Sequence, residues 1–349
     1  CIRDRDRLAV EYKPDKNTTV LLCNDSFGAL AVALHECQVE SWSDSWLAHQ
    51  ATINNYRDNG IDTHQLKLTD SLSLPGAKPA IVIIRLPKSL TFLEYQLSCL
   101  QKILADETRV IVAGMQKNMP ASVWQLLEKY LGKTSTSLAR KKARLINVEL
   151  YVKLPLIRFD PVTVYRLPGS EYEITNYANV FSRQRLDIGT RFFLEHIPVK
   201  QNARQIIDLG CGNGVLGLVA AEKMPEAAIL FVDESYMAVE SARKNFSKAF
   251  AAKRVATFLV GNGLDDYPPG KADLILCNPP FHQQQAVGDF IARRMFEQSK
   301  KVLKQGGELW IIGNRHLGYH KTLKLYFEQV ELVASNKKFV ILKARKLAR

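Results

Sequence analysis

The feature that most constrains this chain is internal: five segments of its first half recur, in the same order, about 190 residues later. VLLCNDSFGALAVAL at Val20 to Leu34 lies on IIDLGCGNGVLGLVA at Ile206 to Ala220, and SDSWLAHQATINNY at Ser43 to Tyr56 lies on DESYMAVESARKNF at Asp233 to Phe246. AIVIIRLPK at Ala80 to Lys88 then matches DLILCNPPF at Asp273 to Phe281, RVIVAG matches ELWIIG, and ARKKARLI at Ala139 to Ile146 matches SNKKFVIL at Ser335 to Leu342. Any two α/β domains share apolar strands, but the collinear order and the shared Ser45/Ser235 and Asn55/Asn245 favour tandem duplication over chance.

The second half alternates short apolar runs with helical patterns, the signature of a parallel α/β sheet. Strands are expected at Gln205 to Leu209, Ile229 to Val232, Thr257 to Val260, Leu274 to Cys277, Glu308 to Ile312 and Phe339 to Leu342. Amphipathic stretches at Tyr236 to Phe250 and Phe290 to Leu303 read as helices, the second closed by Lys304-Gln305-Gly306-Gly307. With 349 residues, 46% of them hydrophobic, the chain exceeds what one core usually fills. A cluster of Pro155, Pro161, Pro168 and Gly169 marks a boundary, so the expected domains are residues 1–155 and 156–349. The expected fold class is therefore α/β, two tandem Rossmann-like domains.

Basic residues outnumber acidic ones 48 to 35, a net charge of +13 that points to a polyanionic partner, most often nucleic acid. No apolar run approaches the ~18 residues that cross a bilayer and no signal peptide opens the chain, so a cytosolic protein is expected. Position 1 is Cys1 rather than Met, and the expectation is a start inside a longer product. The six cysteines form no CxxC pair and have no His at ligand spacing, so they are expected to be reduced, mostly buried, and part of no metal site.

Asp208-Leu209-Gly210-Cys211-Gly212-Asn213-Gly214 follows an apolar strand and opens a helix, Val215 to Met224. Its glycines permit a tight turn and close approach of a ligand, and Gly212-x-Gly214-x-x-Gly217 also fits the dinucleotide fingerprint, so the turn alone is ambiguous. Asp208 tilts the balance: a carboxylate at the strand end suits an amino acid's ammonium and repels a pyrophosphate, which favours S-adenosylmethionine over NAD. Asp233, about 20 residues on, is either a ribose ligand or the cap of the helix that follows. Asn262 is either an adenine ligand or part of an Asn-Gly turn.

The sharpest signal is Asn278-Pro279-Pro280-Phe281 at a strand end. Two prolines make the backbone rigid, so the Asn278 side-chain oxygen and the Pro279 carbonyl can each accept one N–H of an exocyclic amine while Phe281 stacks on its base. The plain alternative is a proline-rich loop without function. His282 is a tempting base, or simply a satisfied loop histidine. Phe181-Ser182-Arg183 and Leu186 to Arg191 form a helix-start pattern. It is either a capping segment, or one in which Phe181 and Asp187 contact a cofactor and Arg183 or Arg185 meets phosphate.

DLGCGNG, Asp233 and NPPF together resemble class I S-adenosylmethionine-dependent methyltransferases acting on exocyclic amines. VFSRQRLDIGTRFF, FHQQ after NPP and the degenerate first half narrow the resemblance to bacterial ribosomal RNA guanine-N2 methyltransferases, over nearly the whole chain. That resemblance implies S-adenosylmethionine as cofactor, with Asp208, Gly210, Gly212 and Gly214 at its amino-acid portion, Asp233 at its ribose and Asn262 at its adenine. It also implies Asn278, Pro279 and Phe281 at the target base, and N2-methylguanosine in 23S rRNA as product.

Guanine-N2 methylation of 16S rRNA remains an alternative, as do a protein-glutamine or DNA-adenine amino methyltransferase and a binding protein that never methylates. In the first half the Gly-rich turn becomes Asn24, Ser26 and Phe27, Asp233 becomes Ser43, and Arg85 to Lys88 stands in place of NPPF. The expected role of that half is RNA recognition, with Arg85, Lys88, Lys141, Lys142 and Arg144 on phosphates, or else a solvated basic face.

Overall fold

A computed structural model describes residues 14–76, 78–151, 155–251, 253–280 and 285–347. It divides into two compact units, Cys1–Pro161 and Val162–Arg349.

The first unit carries strands β1 (Thr19–Cys23), β2 (Gln38–Ser43), β3 (Leu66–Asp70), β4 (Ile81–Arg85), β5 (Arg109–Met115), β6 (Gly132–Thr136) and β7 (Ala143–Leu150). They form one sheet in the order β3-β2-β1-β4-β5-β7-β6. The second unit opens with a hairpin, β8 (Thr163–Arg166) and β9 (Glu173–Asn176). Its sheet follows: β10 (Gln205–Leu209), β11 (Ala228–Asp233), β12 (Ala256–Val260), β13 (Ala272–Cys277), β14 (Leu303–Asn314), β15 (Gln329–Ser335) and β16 (Phe339–Arg345). The order β12-β11-β10-β13-β14-β16-β15 repeats the first sheet strand for strand. Both are Rossmann-like, with five parallel strands and an antiparallel pair at one edge.

The central parallel strands of each sheet, β1, β4 and β5 in the first and β10, β11 and β13 in the second, are buried on both faces, which is why they read as continuous apolar runs. Along β13, Leu274 and Leu276 join the core that holds Phe193, Phe231 and Ile341, whereas Ile275 and Cys277 join the one that holds Phe296 and Ile311. Along β1 the same alternation sends Leu21 and Cys23 to one core and Val20 and Leu22 to the other. All five described cysteines are free and buried.

Register makes the internal repeat concrete. Leu22 lies opposite Ile83, and Asp208 lies opposite Leu276, so the ends of β4 and β13 are equivalent and Arg85 stands where Asn278 stands. Three local devices recur. Ser45 and Ser235 each cap the following helix, accepting from the N–H of Ala48 and Ala238 at 3.1 Å. Asn55 and Asn245 each donate to the carbonyl of the residue before a turn glycine, Phe27 and Asn213. Gly28 and Gly214 each open a helix from a left-handed conformation, at φ 66 and 78.

Three features differ from the sequence reading. β15 pairs with β16 at the sheet edge, and its half-exposed residues give no apolar run. The β8–β9 hairpin is similarly short and partly exposed. The helix Gln285–Val302 runs directly into β14, and Lys304 to Gly307 form an irregularity where the β13–β14 register shifts, with Gly306 at φ 77. Among the described residues, no helix is long and apolar enough to cross a membrane.

Candidate functional site

In an open α/β sheet ligands bind at the carboxyl ends of the strands where the chain order reverses. In the second unit that point lies between β10 and β13, neighbours whose next strands in sequence lead away to opposite sides. Asp208 and the Gly-rich turn end β10, Asp233 ends β11, and Asn278 follows β13, so one end of the sheet gathers them all.

Asp208 is fully buried. Its Oδ2 accepts the Gly217 N–H at 2.8 Å, while Oδ1 is buried without a hydrogen-bond partner. Burial pushes its carboxyl up to about 8; the Gly217 N–H opposes this and the charge of Asp233 adds to it. A buried carboxyl with one bare oxygen is a ready acceptor for a cation, and only when ionised. Gly217 has a packing reason of its own, because a Cβ there would come within 2.4 Å of the Phe231 ring.

The turn is held by the second acid. Asp233 Oδ2 accepts the Gly212 N–H at 2.9 Å and Oδ1 accepts the Ser235 N–H at 3.0 Å. Ser235, not Asp233, caps the helix Tyr236–Phe250, so capping does not account for the acid at the strand end. Beneath the turn, Asn213 donates to Asn176 Oδ1 at 2.8 Å and to the Tyr165 hydroxyl at 3.2 Å, which ties the β8–β9 hairpin to the Gly-rich segment. Asn262 donates to Asp265 at 2.7 Å, and its carbonyl accepts from Gln298 at 2.9 Å. Burial alone would raise the Asp265 carboxyl, but hydrogen bonds from Gln298 and Arg294 outweigh it and hold the group below its ordinary range.

Asn278 is half-buried, and the buried Pro279 follows it. Its Nδ2 donates to Thr190 Oγ1 at 3.0 Å, while its Oδ1 is buried and, among the described residues, accepts nothing. Thr190 Oγ1 lies 3.3 Å from Asp187 Oδ2, which also accepts the Thr190 N–H at 2.8 Å and so caps the helix Ile188–Leu194. Phe181 is exposed and Arg183 half-buried in the turn that precedes this helix. Phe281 and His282 lie outside the described residues.

In the first unit the equivalent place is filled by the chain itself. Asn24 adopts φ 66 where Gly210 has φ 70, and its amide exchanges hydrogen bonds with Gln96 at 2.9 and 3.1 Å. The amide also donates to the Arg85 carbonyl at 3.0 Å, and the Arg85 guanidinium donates to Ser26 at 2.5 Å. Leu22 is buried where Asp208 stands, and the acid of this turn, the buried Asp25, is taken up by the Leu30 and Ala31 N–H groups, which its Oδ2 accepts at 2.9 and 3.0 Å. Arg85 and Arg144 are half-buried, whereas Lys88, Lys141 and Lys142 are exposed, the last two at the β6–β7 hairpin tip.

Sequence reasoning missed Thr190, Gln298, Asn176 and Tyr165. Thr190 sat inside the recognised helix-start pattern, but its partner Asn278 lies 88 positions away, and no local signal pairs them.

The sequence model of the methyltransferase small domain family matches residues 171–343, and that of the RLMG N-terminal domain matches residues 6–151. The chain is 51% identical over 328 residues to ribosomal RNA large subunit methyltransferase G of Aeromonas salmonicida (strain A449), covering 94% of this chain and 87% of that protein. It is 45% identical over 344 residues to the protein of the same name from Klebsiella pneumoniae (strain 342), covering 98% and 91%. Among solved structures, the T. thermophilus 16S rRNA N2 G1207 methyltransferase (RsmC) in complex with AdoMet and guanosine superposes with a TM-score of 0.81 at 21% identity, covering 99% of this chain and 92% of that one. At that identity the likeness speaks for the α/β fold alone, over nearly the whole of this chain.

Proposed function

The chain belongs to the ribosomal RNA large subunit methyltransferase G family, and from that membership and the geometry at the ends of β10 and β13 we propose that it transfers a methyl group from S-adenosylmethionine to the exocyclic N2 of a guanine in 23S rRNA. The observation that carries the acceptor half of this reading is the Asn278 carboxamide, whose oxygen is buried and bare while its nitrogen is anchored. A bare buried acceptor costs free energy unless a donor meets it, and an exocyclic amine brings two N–H groups. Asn278 Oδ1 takes one and the Pro279 carbonyl the other, which leaves the nitrogen lone pair facing the cofactor.

The residues present fit the cofactor. The bare Asp208 Oδ1 suits an α-ammonium, the Gly210 to Gly214 turn leaves backbone room at the amino-acid portion, and Asp233 stands ready for the ribose hydroxyls. Asn262, held by Asp265 and Gln298 past the end of β12, would meet the adenine, and Phe181 and Asp187, the latter joined to Asn278 through Thr190, would meet the cofactor on the β13 side. When bound, S-adenosylmethionine supplies an electrophilic methyl group on a sulfonium.

The chain's own contribution is positioning. Guanine's N2 lone pair is delocalised into the ring, so two acceptors that favour a pyramidal nitrogen lower the barrier to in-line attack. A paired guanine cannot reach a site at a strand end, so the base enters flipped or already unpaired, with Phe281 replacing its lost stacking. Arg183 and the basic residues of the first unit, Arg85, Lys88, Lys141, Lys142 and Arg144, supply phosphate contacts. The reaction belongs in the cytoplasm, where rRNA is made.

The direct test is Asn278→Ala. It is expected to lower methyl transfer by at least about 100-fold while calorimetry gives an S-adenosylmethionine affinity close to the parent's. Turnover near the parent's would remove Asn278 from the mechanism.

A further inference from the structure

An asparagine amide has two ends, and only one serves this reaction: oxygen toward the target offers an acceptor, whereas nitrogen toward it opposes one donor to another. We propose that Thr190 is the positioning residue that sets this choice, holding the Asn278 amide with its nitrogen on the Thr190 hydroxyl and its oxygen turned away from it, through a hydrogen-bond relay that begins at Asp187. The inference rests on the reading of Asn278 given above.

The relay has a defined polarity. The Asp187 carboxylate is acceptor-only, so the Thr190 hydroxyl hydrogen turns toward Asp187 Oδ2, 3.3 Å away. That leaves the Thr190 Oγ1 lone pairs for Asn278, whose Nδ2 donates to it at 3.0 Å. With the nitrogen end committed, the oxygen end faces the other way, where it is buried and accepts nothing from the described residues.

The two prolines contribute to the same end. An Asn side-chain oxygen can be captured by the backbone N–H two residues on, in an Asx turn. Positions 279 and 280 are both proline and have no N–H, so neither can take the Asn278 oxygen. The Asn-Pro-Pro triplet thus denies the amide that local partner, and Thr190, brought from 88 residues away by the helix Ile188–Leu194, supplies a tertiary one at the opposite end.

The first unit provides an internal contrast. Asn24, whose amide has both ends engaged with Gln96, is a carboxamide locked by a partner for each end, and it offers nothing outward.

The test compares Thr190→Val, which keeps shape and removes the hydroxyl, with Thr190→Ser, which keeps the hydroxyl, using the full chain, S-adenosylmethionine and 23S rRNA. Single-turnover methylation is expected to fall by about 10- to 100-fold in Thr190→Val and to stay within about threefold of the parent in Thr190→Ser. S-adenosylmethionine affinity by calorimetry should remain at the parent value in both, and both should unfold cooperatively, the valine variant at a somewhat lower midpoint because the Asn278 Nδ2 loses its acceptor. Should the valine variant fold poorly, Thr190→Ala replaces it with the same expectation. A parent-like rate in the hydroxyl-free variant overturns the proposal, as does a serine variant as slow as the valine one, or a rate loss matched by weaker cofactor binding. If Asn278→Ala is itself active, the reading of Asn278 fails first; if Asn278→Ala is inactive while Thr190→Val is normal, only the positioning role fails.

Discussion

At the residue scale the account turns on two acids with opposite demands, Asp208, which is buried, and Asp233, which is half-buried. Asp208 keeps its proton in the ligand-free protein to about pH 8 because burial penalises its charge, yet the role proposed for it, holding an ammonium, requires it ionised. Cofactor affinity is therefore expected to rise with pH between about 6 and 8, with proton release on binding visible by calorimetry in buffers of different ionisation heat, and Asp208→Asn should flatten that rise. The same shift has a stability consequence. The folded-state pKa lies above the unfolded one, so the stabilising proton is fully present below about pH 4 and is lost as pH rises toward 8. Asp208→Asn should accordingly melt higher than the parent at pH 8 without cofactor, while binding the cofactor more weakly. Asp233 makes the opposite trade, since both its oxygens already accept backbone N–H groups. Asp233→Ala is expected to weaken S-adenosylmethionine binding by about 1–3 kcal/mol, the scale of hydrogen bonds to a charged group. An unchanged dissociation constant would confine Asp233 to bracing the turn. These acids were legible in the sequence because each ends an apolar run, whereas Thr190 and Gln298 act through partners 88 and 36 positions away.

At the scale of elements, the strand-to-helix turn is the conserved device of both halves, and its last glycine has a steric reason. Gly214 sits at φ 78, and a Cβ on it would lie 2.7 Å from Ala242 Cβ; Gly28 sits at φ 66 with Thr52 Cα only 2.5 Å from the same place. Gly214→Ala and Gly28→Ala should each destabilise their own unit by about 1–3 kcal/mol in denaturant titrations, through backbone strain and overpacking together. Loss of cofactor binding is expected from the first alone. Elements buried on both faces, such as β10 and β13, declare themselves as apolar runs, and their ends were legible to within two residues. β15 and the β8–β9 hairpin were not, because half-exposed edge residues carry no run, and the hairpin segment is held by distant side chains, the Thr175 N–H donating to Asn245 Oδ1 and the Tyr177 N–H to the Ser241 hydroxyl. The repeat itself was visible because cap, asparagine bracket and glycine turn are each single-residue requirements that survive when the ligand chemistry does not.

At the scale of the whole molecule, two sheets share one topology, and the proposed site lies on the second. The first unit keeps its cores but has closed its strand ends with Asn24, Gln96, Ser26 and Arg85, so it is expected to bind no S-adenosylmethionine. Its remaining asset is charge on a chain of net +13. Lys141 and Lys142 stand at a two-residue hairpin tip in left-handed backbone, φ 49 and 67, which turns both lysines out on a rigid corner. Neutralising Lys141, Lys142 and Arg144 together should weaken rRNA binding and flatten its salt dependence by about one counterion per lost contact, leaving cofactor affinity unchanged. An unaltered salt slope would move the RNA platform elsewhere. The central claim, that an exocyclic guanine amine in large-subunit rRNA meets the Asn278 acceptor, is tested most directly by supplying the protein with methyl-labelled S-adenosylmethionine and unmodified 23S and 16S rRNA, then digesting to nucleosides for mass spectrometry. The account predicts label in N2-methylguanosine, from 23S rRNA, and none with Asn278→Ala; label in N6-methyladenosine, in protein, or in 16S rRNA alone would contradict it.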